Sequence, residues 1–312
     1  MAQRVILCYL ESDGSLALEA IDRLRTVAPS EVLPMPTVAQ VLETVEHTPG
    51  SAGLLPIEDS YDGESLAVYD RLVFESWNAY IRDEVVVSDS LDAFAQSAGA
   101  AATAHTAVAT PRGVEQCFRF VQEHGLRIRY VESAAEACRV VSTSSDDGLI
   151  ALAPVRMAEQ FGLVTVAAGI EDLPDLKTRF IVVSREVAPP TGDDKTTLVV
   201  TPAVDRSGTL VDLLGAFGEN DVNMVSLISR PLRASVGTHC FQITCEGHLT
   251  EPPMQATIRR LWEKGARVKV LGSFPAWTGD QVMTPFDALP AKSIGPDDTD
   301  ADQAALLSPP AG

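Results

Sequence analysis

Apolar and polar positions alternate along the chain in short runs of two kinds. "RVILCYL" (residues 4–10) reads as a strand. "SLALEAIDRLRTV" (15–27) returns its apolar residues every three or four positions and predicts a helix, and "SAGLLPI" (51–57) is again a strand. After a longer linker come "TAVAT" (106–110), a helix over "PRGVEQCFRFVQEHG" (111–125), "LRIRYV" (126–131), a helix over "SAAEACRVVSTS" (133–144), "GLIALA" (148–153) and a helix over "PVRMAEQFG" (154–162). Strand–helix alternation implies parallel sheets with helices on both faces. "WNAYIRDEVVVS" (77–88) reads as a crossover strand between two such units. Pro111 suits a first helical turn, and Ser133 with Glu136 three positions on fits a capping box. Two α/β lobes joined by crossovers leave a cleft, and ligands of open α/β sheets sit beyond strand C-termini.

"REVAPPTGDDK" (185–195) is rich in Pro, Gly and Asp and reads as a linker. Beyond it the order changes to strand "KTTLVVTPA", helix "SGTLVDLLGAFGEND" ending near Asn220, strands "VNMVSLISRPL" and "THCFQITCEG", helix "PMQATIRRLWEKG" and strand "ARVKVLGSFP". That is βαββαβ, a ferredoxin-like unit. From about Asp280 onward Asp, Ala and Pro dominate, which predicts disorder.

The 312 residues are ample for two domains, and 46% apolar content supports a sizeable core. A net charge of -19 argues against nucleic acid and against anionic membranes. A small anionic substrate stays compatible with it, because a local basic pocket can outweigh the global field. No apolar run reaches the roughly 18 residues of a membrane span, and "ESDG" follows the first strand at once, unlike a signal peptide. These features predict a cytoplasmic protein. The five cysteines (Cys8, Cys117, Cys138, Cys240, Cys245) are scattered without a CxxC pair, and the five histidines lack ligand spacing. Neither a disulfide framework nor a metal site is expected. Cys240 and Cys245 should face opposite sides of one strand. "TGDDKTT" lacks the glycines of a phosphate loop, and no nucleophile elbow or Rossmann fingerprint is present.

Four stretches in order carry a resemblance. "GLLPIEDSYDGE" (53–64) is similar to V-P-I-E-N-S-x-x-G, and "GIEDLPDLKTRFIVV" (169–183) to I-E-D-x-x-x-N-x-T-R-F. "ISRPL" followed by "THCFQITCEGH" is similar to E-S-R-P, a strand and E-G-H, and "VKVLGSFP" to the closing strand. Together they resemble bacterial prephenate dehydratases with a C-terminal ACT regulatory domain, over about residues 4 to 276.

The resemblance implies an α/β fold: a two-lobed, periplasmic-binding-protein-like catalytic domain with a central cleft over 1–185, a linker over 186–194, and a ferredoxin-like ACT domain over 195–277. A disordered tail would occupy 278–312. It implies a carbon–oxygen lyase that converts prephenate to phenylpyruvate in phenylalanine biosynthesis, without a cofactor. Thr178 is then the catalytic hydroxyl, Arg179 assists with charge and Phe180 packs behind them. A threonine hydroxyl is a poor acid, so it orients the leaving group or a water rather than donating freely. Gly14, Ser15, Glu58, Asp59, Ser60, Thr110, Arg112 and Ser133 are the implied substrate contacts. Gly208, Leu210, Ser229, Arg230 and Pro231 are the implied effector positions of the ACT domain. The expected partners are a small anionic substrate, an amino-acid effector and further copies of the chain, most simply as a dimer.

The departures from the family pattern fall where a ligand is expected. Glu11 and Ser12 stand where Gly-Pro is usual, Ser15 replaces threonine and Ala17 lacks the second hydroxyl of the first loop. Ala109, Thr110, Pro111 and Arg112 replace S-H-P-Q, Leu176 replaces an asparagine, and Asp59 replaces the asparagine of P-I-E-N-S. An Asp facing a dianion at ~4 Å costs about 4 kcal/mol at an effective dielectric of 20. Asp59 therefore points elsewhere, is protonated, or meets a different ligand. Arg112 either offsets it from the opposite lobe or lies solvated on the surface. Ile228 stands in place of the glutamate of E-S-R-P, which removes a carboxylate from the effector stretch. Two alternative functions follow: a decarboxylase that keeps the hydroxyl, and an amino-acid sensor with an inactive cleft.

Overall fold

A computed structural model describes residues 5–10, 14–173, 175–204, 206–232, 238–279, 293 and 299. The expected disorder beyond 278 falls almost entirely outside them. The first lobe contains β1 (Ile6–Leu10), α1 (Gly14–Arg23), β2 (Glu31–Met35), α2 (Val38–His47), β3 (Ser51–Asp59), β4 (Gly63–Glu64), α3 (Leu66–Phe74) and β5 (Tyr80–Ser88). The second lobe contains β6 (Asp92–Ala95), β7 (Thr106–Ala109), α4 (Pro111–Gln116), α5 (Phe118–Glu123), β8 (Arg127–Tyr130), α6 (Ala134–Ser142), β9 (Leu149–Ala153), α7 (Val155–Gln160) and β10 (Val164–Ala167). β11 (Lys177–Ser184) then returns to the first lobe. The C-terminal unit is β12 (Asp194–Thr201), α8 (Thr209–Gly218), β13 (Met224–Pro231), β14 (His239–Glu246), α9 (Pro252–Glu263) and β15 (Arg267–Pro275).

The expected parallel sheets are mixed. β1, β2 and β3 run parallel, but β11 is antiparallel to both β3 and β5. In the second lobe β7, β8 and β9 are parallel, while β6 runs against β9 and β10. The reason is topological: the chain crosses twice, so one strand of each sheet carries it back. "WNAYIRDEVVVS" is the crossover strand expected, β5, which leads into the second lobe and is an interior strand of the first sheet. The helix expected over 111–125 is two helices, broken at Cys117 (φ -117°, ψ 29°). The other expected elements hold to within a few residues, and α2, α3, β2, β4, β6 and β10 add to them.

The C-terminal unit has the strand order β13-β14-β12-β15 of a ferredoxin-like fold. It continues the first lobe's sheet edge to edge: Gly272 of β15 bridges Ile81 of β5 in a parallel contact. A Cβ at Gly272 would collide with the backbone of Ile81, and the φ of 158° lies where glycine is favoured. One ten-stranded sheet therefore runs from β13 to β2.

Strand alternation sends successive side chains to opposite faces. On one face of the first lobe Leu7, Leu54, Val85, Phe180 and Val182 pack under α1. On the other, Leu55, Ile57, Ile81, Ile181 and Val183 meet α2 and α3 together with Val199, Cys240 and Phe274 of the C-terminal unit. Cys245, five positions from Cys240, lies instead in the core under α8 and α9. All five cysteines are free and buried.

Candidate active site

The lobes enclose a cleft of about 430 Å³ at the C-terminal ends of β1 and β3. Its lining includes Glu58, Asp59 and Thr178 from the first lobe, and Thr110, Arg112, Gln116, Glu132 and Ser133 from the second. Asp89, in the crossover after β5, lines it as well. Six of the expected site residues thus converge from sequence positions more than a hundred residues apart.

Thr178 is 6% exposed, and its hydroxyl makes no hydrogen bond among the described residues. Its backbone is fixed on both sides, opposite Asp59 of β3 and Val87 of β5. Ser60 secures the same strand start: its Oγ donates to the Lys177 carbonyl (3.1 Å) and accepts from the Lys177 amide (2.9 Å). Ser60 does not line the cleft; this expected substrate contact holds the strand that presents Thr178.

Arg179 also lies elsewhere. As the neighbour of Thr178 on a strand, it emerges on the opposite face. Its Nε donates to Glu58 (2.9 Å) and its Nη1 to Glu84 (2.8 Å). Lys195 of β12 joins Glu84 at 2.6 Å. Burial alone would raise the Glu84 carboxyl; Arg179 and Lys195 together hold it below its ordinary value. The expected catalytic charge therefore belongs to the joint with the C-terminal unit. Phe180, 1% exposed, packs in the core under α1 rather than against a ligand.

Asp59 and Arg112 meet across the cleft, with Arg112 Nη2 3.1 Å from Asp59 Oδ1. Arg112 also reaches Asp62 (3.0 Å) and Asp89 (3.6 Å). Asp59 Oδ1 accepts the amides of Tyr61 (2.9 Å) and Asp62 (2.7 Å), so it closes the turn into β4. The substitution of Asp for Asn keeps this turn, since either side chain offers that oxygen. Thr110 and Ser133 are helix caps: their hydroxyls accept the amides of Gly113 and Glu136, each at 3.1 Å. Gly14 and Ser15 open α1, and their side chains lie outside the described residues, as do Glu11 and Ser12.

Asp89 and Gln116 had no motif to mark them. Asp89 is 6% exposed; burial pushes its carboxyl above the usual range, against the pull of Arg112. Gln116 is 3% exposed, and its side chain stands beside Asp89, whose carboxyl it helps to hold down. The helical position of Gln116, one turn after Arg112, was the available signal. The lining carries four carboxylates, of Glu58, Asp59, Asp89 and Glu132, against the guanidinium of Arg112.

The expected effector positions lie in the C-terminal unit. Gly208 (φ 87°) precedes α8, which begins at Thr209 and includes Leu210. Ser229, Arg230 and Pro231 end β13. β12 and β13 both run antiparallel to β14, so these two segments share one end of the sheet. Arg230 is already engaged, pairing with Asp70 of α3 at 2.5 Å. No described helix is long and apolar enough to cross a membrane, and no group of three or more metal-ligating side chains occurs among the described residues.

Comparison with known proteins agrees with this architecture. Residues 7–188 match the profile of the family described as "Prephenate dehydratase". A prephenate dehydratase of Mycolicibacterium vanbaalenii is 28% identical over 291 residues, covering 88% of this chain and 92% of its own. One from Mycobacterium sp. (strain KMS) is 31% identical over 262 residues, covering 79% of each chain. The crystal structure of prephenate dehydratase in complex with L-Phe from Arthrobacter aurescens superposes with a TM-score of 0.75 at 27% identity, covering 97% of both chains.

Proposed function

The chain belongs to the prephenate dehydratase family, and we propose that the interlobe cleft is where prephenate reacts, with Thr178, Arg112 and Asp89 as its principal contacts. The family reaction is that of a carbon–oxygen lyase. The bond between ring and carboxylate breaks, its electron pair enters the ring, and the ring hydroxyl leaves. Carbon dioxide and water are released, one proton is consumed, and aromatisation supplies the driving force.

The observation that carries this assignment is the hydroxyl of Thr178, a residue of the cleft wall that is 6% exposed, which makes no hydrogen bond among the described residues. It is placed to hold the leaving oxygen. The proton comes from Asp89, whose burial favours the neutral acid. Arg112, with a side chain 44% exposed, takes a substrate carboxylate. Asp59, whose side chain is 16% exposed, competes with that carboxylate for the guanidinium. Gln116 stands behind Asp89 and holds it in place. Arg179 acts at a distance, fixing Glu58 and the strand that carries Thr178.

A second reading rests on the four lining carboxylates. Hydroxide leaving into a negative field is opposed unless it is protonated, whereas neutral carbon dioxide is not. The cleft then decarboxylates prephenate and retains the hydroxyl: the electron pair of the broken carbon–carbon bond passes into the ring diene and is captured there by one proton. Incubating the pure protein with prephenate decides. Phenylpyruvate, read by absorbance in base, supports dehydration, and carbon dioxide without phenylpyruvate supports the second reading. No turnover, with an amino acid still bound, leaves a sensor.

The C-terminal unit is read as an ACT domain that binds an amino acid near Gly208 and the end of β13. The exposed Val225 and Leu227 on edge strand β13 support pairing with a second copy. Sedimentation at micromolar concentration tests this, and a monomer counts against it.

A further inference from the structure

A second cavity, about 270 Å³, lies on the first lobe at the end of the sheet opposite the cleft. It is formed where β3 begins and β11 ends, with Thr26, Ser51, Arg82, Arg185 and Glu186 among its lining residues. Two features of Arg82 stand out. First, it is the extra residue of a β-bulge. Val182 of β11 stands opposite Asp83 and Val183 opposite Ile81, so Arg82 has no partner position. A bulge re-aims a side chain away from the regular alternation. Second, its Nε is buried without a hydrogen-bond partner, and no ion pair engages its guanidinium among the described residues.

That is unusual here. The chain has 43 acidic residues against 24 basic ones, and Arg23, Arg71, Arg112, Arg179 and Arg230 all hold carboxylates. Asp83, adjacent in sequence, does not serve Arg82: its carboxylate accepts from the Thr26 hydroxyl and the Glu84 amide. Arg185 opens onto the same cavity, exposed and likewise without an ion pair among the described residues. Glu186 is the acidic residue of the lining, and it too forms no ion pair among the described residues. Two guanidinium forks left unmatched around one concavity are the donor set that tetrahedral oxyanions require. The two terminal nitrogens of Arg82, which unlike Nε are not buried, make no hydrogen bond or ion pair among the described residues, so these are the donors open to an anion in the cavity.

We propose that this cavity is a binding site for a small oxyanion of the phosphate or sulfate type, held by Arg82 and Arg185. It is separate from the cleft: Thr178 and Ser184 lie at opposite ends of β11, and no residue lines both cavities.

The test uses the full-length protein and inorganic phosphate, with sulfate in parallel and sodium chloride at matched ionic strength. Phosphate or sulfate should raise Tm in a saturable manner, beyond the chloride control. Arg82→Gln and Arg185→Gln should each abolish most of that rise, and calorimetric titration should show at least about a tenfold loss of affinity, the factor expected for one charge-assisted pair. Arg112→Gln should leave the rise intact, which separates this site from the cleft. Arg185 is exposed, so its variant tests the proposal even should Arg82→Gln fail to fold. A rise equal to that in chloride overturns the proposal, as does one that survives in Arg185→Gln or vanishes in Arg112→Gln.

Discussion

Arg112 of the second lobe and Asp59 of the first stand 3.1 Å apart across the cleft, so the guanidinium that would meet a substrate carboxylate is held by one of the protein's own. Substrate and Asp59 therefore compete for it. Asp59→Asn should lower KM for prephenate, since it removes the competing charge and keeps the oxygen that closes the turn. Arg112→Gln should raise KM. In the Asn background the second change should cost less, so the cycle on kcat/KM should show a coupling above about 0.5 kcal/mol. Additive effects would place both residues outside the binding step.

Thr178 and Arg179 should separate by readout. Thr178→Ala should lower kcat by at least about tenfold, with Tm moved by no more than about 4 °C. Arg179→Met should act on stability, because it leaves Glu84, 4% exposed, with Lys195 as its remaining cation. Breaking one partner of a buried pair costs about 3 kcal/mol or more. Denaturant unfolding and steady-state kinetics on both variants test the division, and unchanged turnover in Thr178→Ala would remove the catalytic assignment.

Glu64 lies in register with Glu58 across the β3–β4 turn, and burial, then Glu58, pushes its carboxyl up to about 7. The folded state thus holds a proton that the unfolded chain releases near pH 4.5. Stability from this group is full below that value and declines as pH rises to about 7. Glu64→Gln should flatten this decline and leave the variant more stable than the parent above pH 7. Parallel Tm–pH curves for the two proteins would refute the shift.

Gly272 joins the C-terminal unit to the first lobe by its bridge to Ile81. Gly272→Ala should destabilise by more than about 1 kcal/mol, since neither the φ nor the space suits a side chain. Faster proteolysis within 185–193, the segment between β11 and β12, should accompany it. A parent-like Tm and cleavage rate would show that the two sheets do not depend on this contact.

The sequence by itself determined the order of elements in the C-terminal unit, and in the two lobes the strands and helices of strongest periodicity, because apolar periodicity and turn residues are local properties. It also determined the family, through four motifs in order. It marked six of the residues that line the cleft. It did not reveal that Thr178 and Arg179 serve different compartments, although strand alternation implies that neighbours diverge. What decided which face met the cleft was the pairing of β11 between β3 and β5, a long-range relation with no local signal. The same holds for Asp89 and Gln116. Their chemistry comes from burial, which depends on two lobes closing over residues that carry no motif. Arg82 is the plainest case: its bulge against β11 and its lack of an ion pair among the described residues exist only once the strands are assembled.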